Sequence, residues 1–162
     1  SGYYHSGMKG GKVAYEACLE AESPLDILEA RTSKAKLLKR LYTEVQEDIN
    51  EYVDNWQNYS EVHGDLVFME LKSKFFIQSP VSTIMSIRNP ERTLIIMRRR
   101  GDSIHASFRR NDGKLDCGKL AAFATQGLEN ANGGGHKPAA GAHFLFKDLG
   151  KFKENVVKFL SM

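Results

Sequence analysis

The chain has 162 residues, of which 41% are hydrophobic and 27% charged, the proportions of one globular domain or one domain with an appendage. No apolar run approaches the length of a bilayer span, and the N-terminal "SGYYHSGMKGGK" lacks the apolar core of a secretory signal. Two cysteines, Cys18 and Cys117, form neither a metal-ligand spacing nor a disulfide framework, which fits a cytoplasmic protein. The net charge of +3 is unevenly spread: arginines 88, 92, 98, 99, 100, 109 and 110 stand against only Glu91 and Asp102 in the same stretch. Arginine suits phosphate, but such a run is more often a solvated face.

Residues 12–22 predict a short helix. Ser23-Pro24 restarts the chain, with Ser23 as N-cap, Pro24 at the first helical position and Asp26 three residues past the cap. From about 32 to 57 the pattern is helical: Leu37, Leu41, Val45, Ile49 and Val53 recur every four residues, opposite Lys39, Glu44, Glu47, Asp48, Glu51 and Asp54. "SEVHG" at 60–64 breaks it. Strands are expected at 65–73, 92–100, 103–111 and 142–147, the middle two joined as a hairpin at Gly101-Asp102. Helices are expected at 79–87, at 116–129 with Asp116 as cap, and at 149–162. The expected architecture is α/β: a small mixed sheet of four to five strands flanked by helices over residues 61–162. A helical lead-in with a long amphipathic linker helix fills residues 1–60.

Two stretches carry chemistry. In "NGGGHKPAAG", Gly133, Gly134 and Gly135 let a ligand approach the backbone closely, and successive N–H groups in such a turn can form a concave anion site. His136 and Lys137 would add a donor and a charge. The spacing is neither a P-loop nor a dinucleotide fingerprint. A simple connection does not need three consecutive glycines. In "SFRRN", an inward Phe108 puts Ser107 and Arg109 together on the other face of the strand, a hydroxyl and a guanidinium suited to phosphate.

The segment "HASFRRNDGKLDCGKLAAFATQGLENANGGGHKPAAGAHF", 105–144, resembles the C-terminal substrate-binding domain of the DHH phosphoesterases, the RecJ and oligoribonuclease group. Ser107 and Arg109 match its Ser-x-Arg strand, Asp116-Cys117 its helix opening, Gly133 to His136 its Gly-Gly-Gly-His, and Ala139 to Gly141 its Ala-Ala-Gly. The resemblance implies that Ser107, Arg109, Arg110, Gly133, Gly134, Gly135, His136 and Lys137 hold the phosphates and sugar of a nucleotide, with His136 on the phosphate beside the scissile one. It implies that cleavage belongs to an N-terminal domain whose Asp-His-His motif holds two metal ions, manganese or magnesium. The five histidines here (5, 63, 105, 136, 143) form no such motif, so this chain is expected to carry no catalytic and no metal residues and to be inactive alone. Arg110, where the family often has a small residue, and the extra polar residues of "GLENAN" depart from the pattern.

The implied partners are single-stranded nucleic acid or a short oligonucleotide, the DHH catalytic domain of the same parent chain, and replication or repair proteins; no membrane is implied. Two alternatives stand beside this reading: a non-catalytic protein-interaction module using the Leu41, Val45, Ile49 and Trp56 stripe, and a tRNA-binding domain like that of alanyl-tRNA synthetase. Among lesser candidates, Arg98 to Arg100 could track a backbone, Phe75 and Phe76 stack bases, and Asn132 line the pocket, while His143 reads as structural.

Overall fold

A computed structural model describes residues 8–162, so His5 lies outside it. The chain forms two compact units, one running to Asp54 and taking in Ser73–Ile77, the other holding Asn55–Lys72 and Gln78–Met162.

The first unit contains α1 (Met8–Glu20), α2 (Pro24–Leu28) and α3 (Ser33–Asp54). Small residues let α1 and α3 meet: Ala17 and Ala35 are buried. Lys34 pairs with Glu16, and Glu20 accepts from the Ser33 hydroxyl and the Lys34 amide. The hydrogen bond from Lys34 holds the Glu16 carboxyl below the usual carboxylate range. Asp26 accepts from the Ser23 N–H at 2.9 Å, which fixes the start of α2 as the sequence implied. The apolar stripe of α3 is buried only from Val45 onward, with Ile49, Tyr52 and Val53; Leu37 is 40% exposed. The helix stops before residue 57, because a 3₁₀ turn at Trp56–Tyr59 replaces its expected end.

The second unit is built on a six-stranded mixed sheet, β1 (Ser60–His63), β2 (Leu66–Leu71), β3 (Thr93–Arg100), β4 (Ser103–Arg109), β5 (Asn132–Gly135) and β6 (Ala139–Leu145), in the order β1-β2-β3-β4-β6-β5. Only β2 and β3 are parallel, joined through α4 (Gln78–Arg88). That crossover puts β2 at depth, and its successive residues Leu66 to Met69 are all buried, as expected of a strand covered on both faces. The two strands beyond the sequence expectation lie at the edges. β1 is mostly exposed, so it has no apolar alternation, and β5 is almost all glycine.

One sheet face is covered by α5 (Cys117–Ala124) and α6 (Leu149–Leu160). Its centre is aromatic: Phe144 stacks on Phe152 at 4.1 Å between ring centroids, and Phe108 meets Phe152 edge-on at 5.9 Å. On the other face α4 lies over β3 and β4. Its first residue is pinned there, since Gln78 Nε2 donates to Ile96 O at 2.7 Å and His105 O at 2.9 Å. Among the described residues no helix is long and apolar enough to cross a membrane.

The glycine stretch is a strand, not the concave loop that its composition implied. Gly133, Gly134 and Gly135 pair with Ala142, Gly141 and Ala140 of β6. The reason for two of the glycines is close packing. A Cβ on Gly133 would stand 2.2 Å from Ala121 O of α5, and one on Gly135 2.6 Å from Ala140 Cα. Gly118 of α5 meets the same strand, where a Cβ would lie 2.5 Å from Gly135 O. Gly134, by contrast, has nothing within 4 Å. Gly133→Ala should therefore destabilise the fold by about 1–3 kcal/mol through overpacking, and Gly134→Ala by no more than about 1 kcal/mol. Urea midpoints of the two variants check this, and equal losses would contradict it.

Candidate anion-binding site

Alternation along β4 sorts its residues. Ile104, Ala106 and Phe108 are buried under α5 and α6, while Ser107 and Arg109 are half-exposed and His105 exposed on the opposite face. The register then lays out three rows across β4, β6 and β5. Ser107 pairs with Gly141, which pairs with Gly134. Arg109 pairs with Ala139, which closes the β5–β6 turn with His136. His105 pairs with His143, which pairs with Asn132. The middle row is bare of side chains beyond Ser107, so it makes a flat floor. A shallow depression lined by Asn132, Gly133, Gly134, Gly141, Ala142 and His143 adjoins it.

The hairpin tip is held by its own carbonyls. His136 N–H donates to Ala139 O at 2.8 Å, and Ala139 N–H returns to His136 O at 3.2 Å. Lys137 O accepts from Cys117 N–H at 2.9 Å, and Pro138 O from Arg110 N–H at 3.2 Å. So Lys137 serves the fold through its backbone: its carbonyl takes one of the free N–H groups at the start of α5. Asp116 caps the same helix, accepting from Lys119 N–H, as the sequence implied.

The two adjacent arginines are used differently. Arg110 donates to both carboxylate oxygens of Asp112 at 3.0 Å, to Thr93 Oγ1 at 2.8 Å and to Asp65. Those hydrogen bonds push its pKa above the usual arginine value and hold the Asp112 carboxyl down at about 2. Arg110 thus ties the end of β4 to the segment before β2, and most of its donors are spent within the protein. Arg109 has only one such bond, from Nη1 to Phe108 O at 2.9 Å, and no carboxylate partner among the described residues. Burial lowers its pKa, yet a guanidinium stays charged at neutral pH. The nearby Cys117 thiol is no counter-ion: burial pushes it up to about 11, so it stays protonated. The Ser107 hydroxyl and the exposed His136 imidazole make no hydrogen bond among the described residues.

The sheet therefore brings Ser107, Arg109, Gly134 and the position of His136 to one face, leaves Lys137 exposed at the tip, turns Gly133 against α5, packs Gly135 on Ala140 of its own hairpin and engages Arg110 in the fold. Sequence reasoning passed over Gln78, which pins α4 beside the site, and His105, whose polar alternation with Ser107 and Arg109 was the available signal. Among the described residues no group of three or more His, Cys, Asp or Glu lies together to hold a metal ion.

No protein-family model matches the sequence, and no curated protein matches it. Solved structures do match in fold. RecJ from Thermus thermophilus, in complex with Mn²⁺, aligns with a TM-score of 0.60 at 15% identity, over 80% of this chain and 19% of that one; the same protein was also solved with Mg²⁺. A pGpG-specific phosphodiesterase, PggH from Vibrio cholerae, aligns with a TM-score of 0.54 at 13% identity, over 76% of this chain and 42% of that one. A structure described as the DHH domain of an S1p-family ribosomal protein aligns with a TM-score of 0.53 at 16% identity, over 83% and 36%. The chain spans less than half the length of each. Its fold is the one these proteins share, and the one that the motifs of 105–144 imply.

The fates of the two arginines separate in a pH experiment. Asp112 is depressed below its ordinary 3.8 in the folded state. Its contribution to stability is complete above that ordinary value and is lost as the pH falls toward about 2. Asp112→Asn should lower the thermal midpoint at pH 7 and flatten its fall between roughly pH 4 and 2. An unchanged acid slope would contradict the pairing.

Proposed function

We propose that the chain is the substrate-holding domain of a DHH-type phosphodiesterase, RecJ-like or oligoribonuclease-like, and that its open sheet face binds nucleotide phosphate. The observation that carries this reading is Arg109. A half-buried guanidinium without a carboxylate partner among the described residues, beside a free hydroxyl and a floor of glycine backbone, has the chemistry of an anion site awaiting its anion. Ser107 would accept or donate at the phosphate, Arg109 would supply charge and planar N–H donors, and His136 would donate from the hairpin tip. Gly134 and Gly141 would let the phosphate approach the sheet without a Cβ in the way.

Phosphodiester hydrolysis by two metal ions needs a clustered set of carboxylates and histidines. In this reading those residues belong to a separate DHH domain. Manganese or magnesium would act there, in keeping with the metals of the Thermus RecJ structures. The open face of this domain would then only fix the strand, so that the next phosphodiester lies at the metals. Single-stranded nucleic acid or a short oligonucleotide fits such a face, because backbone phosphates recur along it and no base edge need be read.

A fluorescent oligonucleotide, four nucleotides long, tests the reading. The chain should bind it weakly, with affinity falling as salt rises. Arg109→Ala combined with His136→Ala should lower that affinity at least about tenfold, the loss expected for charge-assisted hydrogen bonds. Undiminished binding by the double variant, or cleavage of the oligonucleotide by the purified chain with Mn²⁺, would contradict the assignment.

A further inference from the structure

The row of His105, His143 and Asn132 lies outside the phosphate grip, and its geometry has a use of its own. His105 and His143 face each other across β4 and β6 with ring centroids 4.9 Å apart and planes tilted by 51°. They stand about 7 Å along the strands from the Ser107–Gly141–Gly134 row, two residues at the usual strand rise. That is the scale of one nucleotide from phosphate to base. The depression that includes Gly134 and Gly141 runs directly to His143 and Asn132. From the structure we infer that His105 and His143 form a stacking platform for the nucleobase of the bound nucleotide, with Asn132 at the rim to meet the base edge.

This inference rests on the phosphate reading and fixes its direction: phosphate over Ser107 and Arg109, base over the imidazoles. Three points support it. First, imidazole rings are among the side chains on which unstacked bases are held. Second, His105 lies among arginines: Arg98 is its Cα partner in β3, and Arg100 adds its field. Burial first, and then those charges, lower its pKa, so the ring is neutral at physiological pH and offers an aromatic face instead of a second cation. Third, the nearest residue of α4 shown bonded to this row is Gln78, whose amide is committed to the Ile96 and His105 carbonyls and not to the rings. The His105 side chain itself stays exposed. Asn132 carries a donor and an acceptor on one amide, the pattern that pairs with an adenine edge.

The test compares adenosine 5′-monophosphate with ribose 5-phosphate, which keeps the phosphate and sugar and lacks the base. Binding of each to the 162-residue chain is followed by NMR titration. The nucleotide should bind more tightly, and it alone should shift the His105 and His143 ring protons upfield. His105→Ala with His143→Ala should weaken the nucleotide roughly tenfold, a typical stacking loss, and leave ribose 5-phosphate unchanged. His105→Phe with His143→Phe should restore the preference. If the unaltered chain binds neither compound, the phosphate site itself is absent and both readings fall. If it binds both equally, without ring-proton shifts, the base platform alone is overturned. The ring-proton result comes from the unaltered chain, so it decides the matter even if the alanine variant does not fold.

Discussion

The contact between strand β5 and helix α5 leaves no room for a side chain at the two places where they meet. Ala121 O would lie 2.2 Å from a Cβ on Gly133, and Gly135 O 2.5 Å from one on Gly118. Everything at this edge of the sheet follows from that approach. It seats β5 as the terminal strand, places the hairpin tip over the start of α5 and lets Lys137 O take the Cys117 N–H. The same tip holds Arg110 by its backbone, and so fixes the end of β4, where Arg109 stands. The glycines are first a packing solution. The bare floor on the opposite face comes with it, because the residue after the inward Gly133 points outward, and here, at Gly134, it is a glycine as well.

The second constraint is the alternation along β4 and β6, which buries one set of their residues under α5 and α6 and leaves the other set on the opposite face, partly exposed. Phe108, Phe144 and Phe152 are fully buried and in ring contact, so β4 and β6 cannot slip by one residue without driving aromatic rings into water. That register is what commits Ser107 and Arg109 to the outer face. Neighbouring arginines then diverge. Arg110 spends its fork on Asp112, Asp65 and Thr93 and works as a brace. Arg109 is held by a single carbonyl, half-buried and without a counter-charge among the described residues. Two adjacent arginines thus differ in how far the fold uses them: Arg110 makes four side-chain hydrogen bonds within it and Arg109 one.

Much of this was legible in sequence. The alternation of Ile104, Ala106 and Phe108 identified the buried face of β4, and with it the pairing of Ser107 with Arg109. Asp116 announced its helix, and Gly101-Asp102 the β3–β4 hairpin. What sequence could not give was anything set by close packing between distant segments. Three consecutive glycines read as a concave anion-binding loop because local propensity disfavours glycine in strands, whereas the close approach of Ala121 and Ala140 explains glycine in a strand here. Arg110 looked equivalent to Arg109, since nothing local reveals that Asp65, far away in the chain, waits to bind it. β1 escaped notice because an exposed edge strand has no apolar period to detect. His143 read as structural because its partner His105 lies on another strand.

The central claim is that a nucleotide phosphate sits on the open face between Ser107, Arg109 and the hairpin tip. It is tested most directly by mapping backbone amide shifts of the chain during titration with adenosine 5′-monophosphate. The account predicts that the largest changes fall at Ser107, Arg109, Gly134, His136 and Gly141, with the residues of α3 unmoved. Changes confined to α3, or spread over the arginines of β3 with none at Arg109 and Gly134, would contradict it.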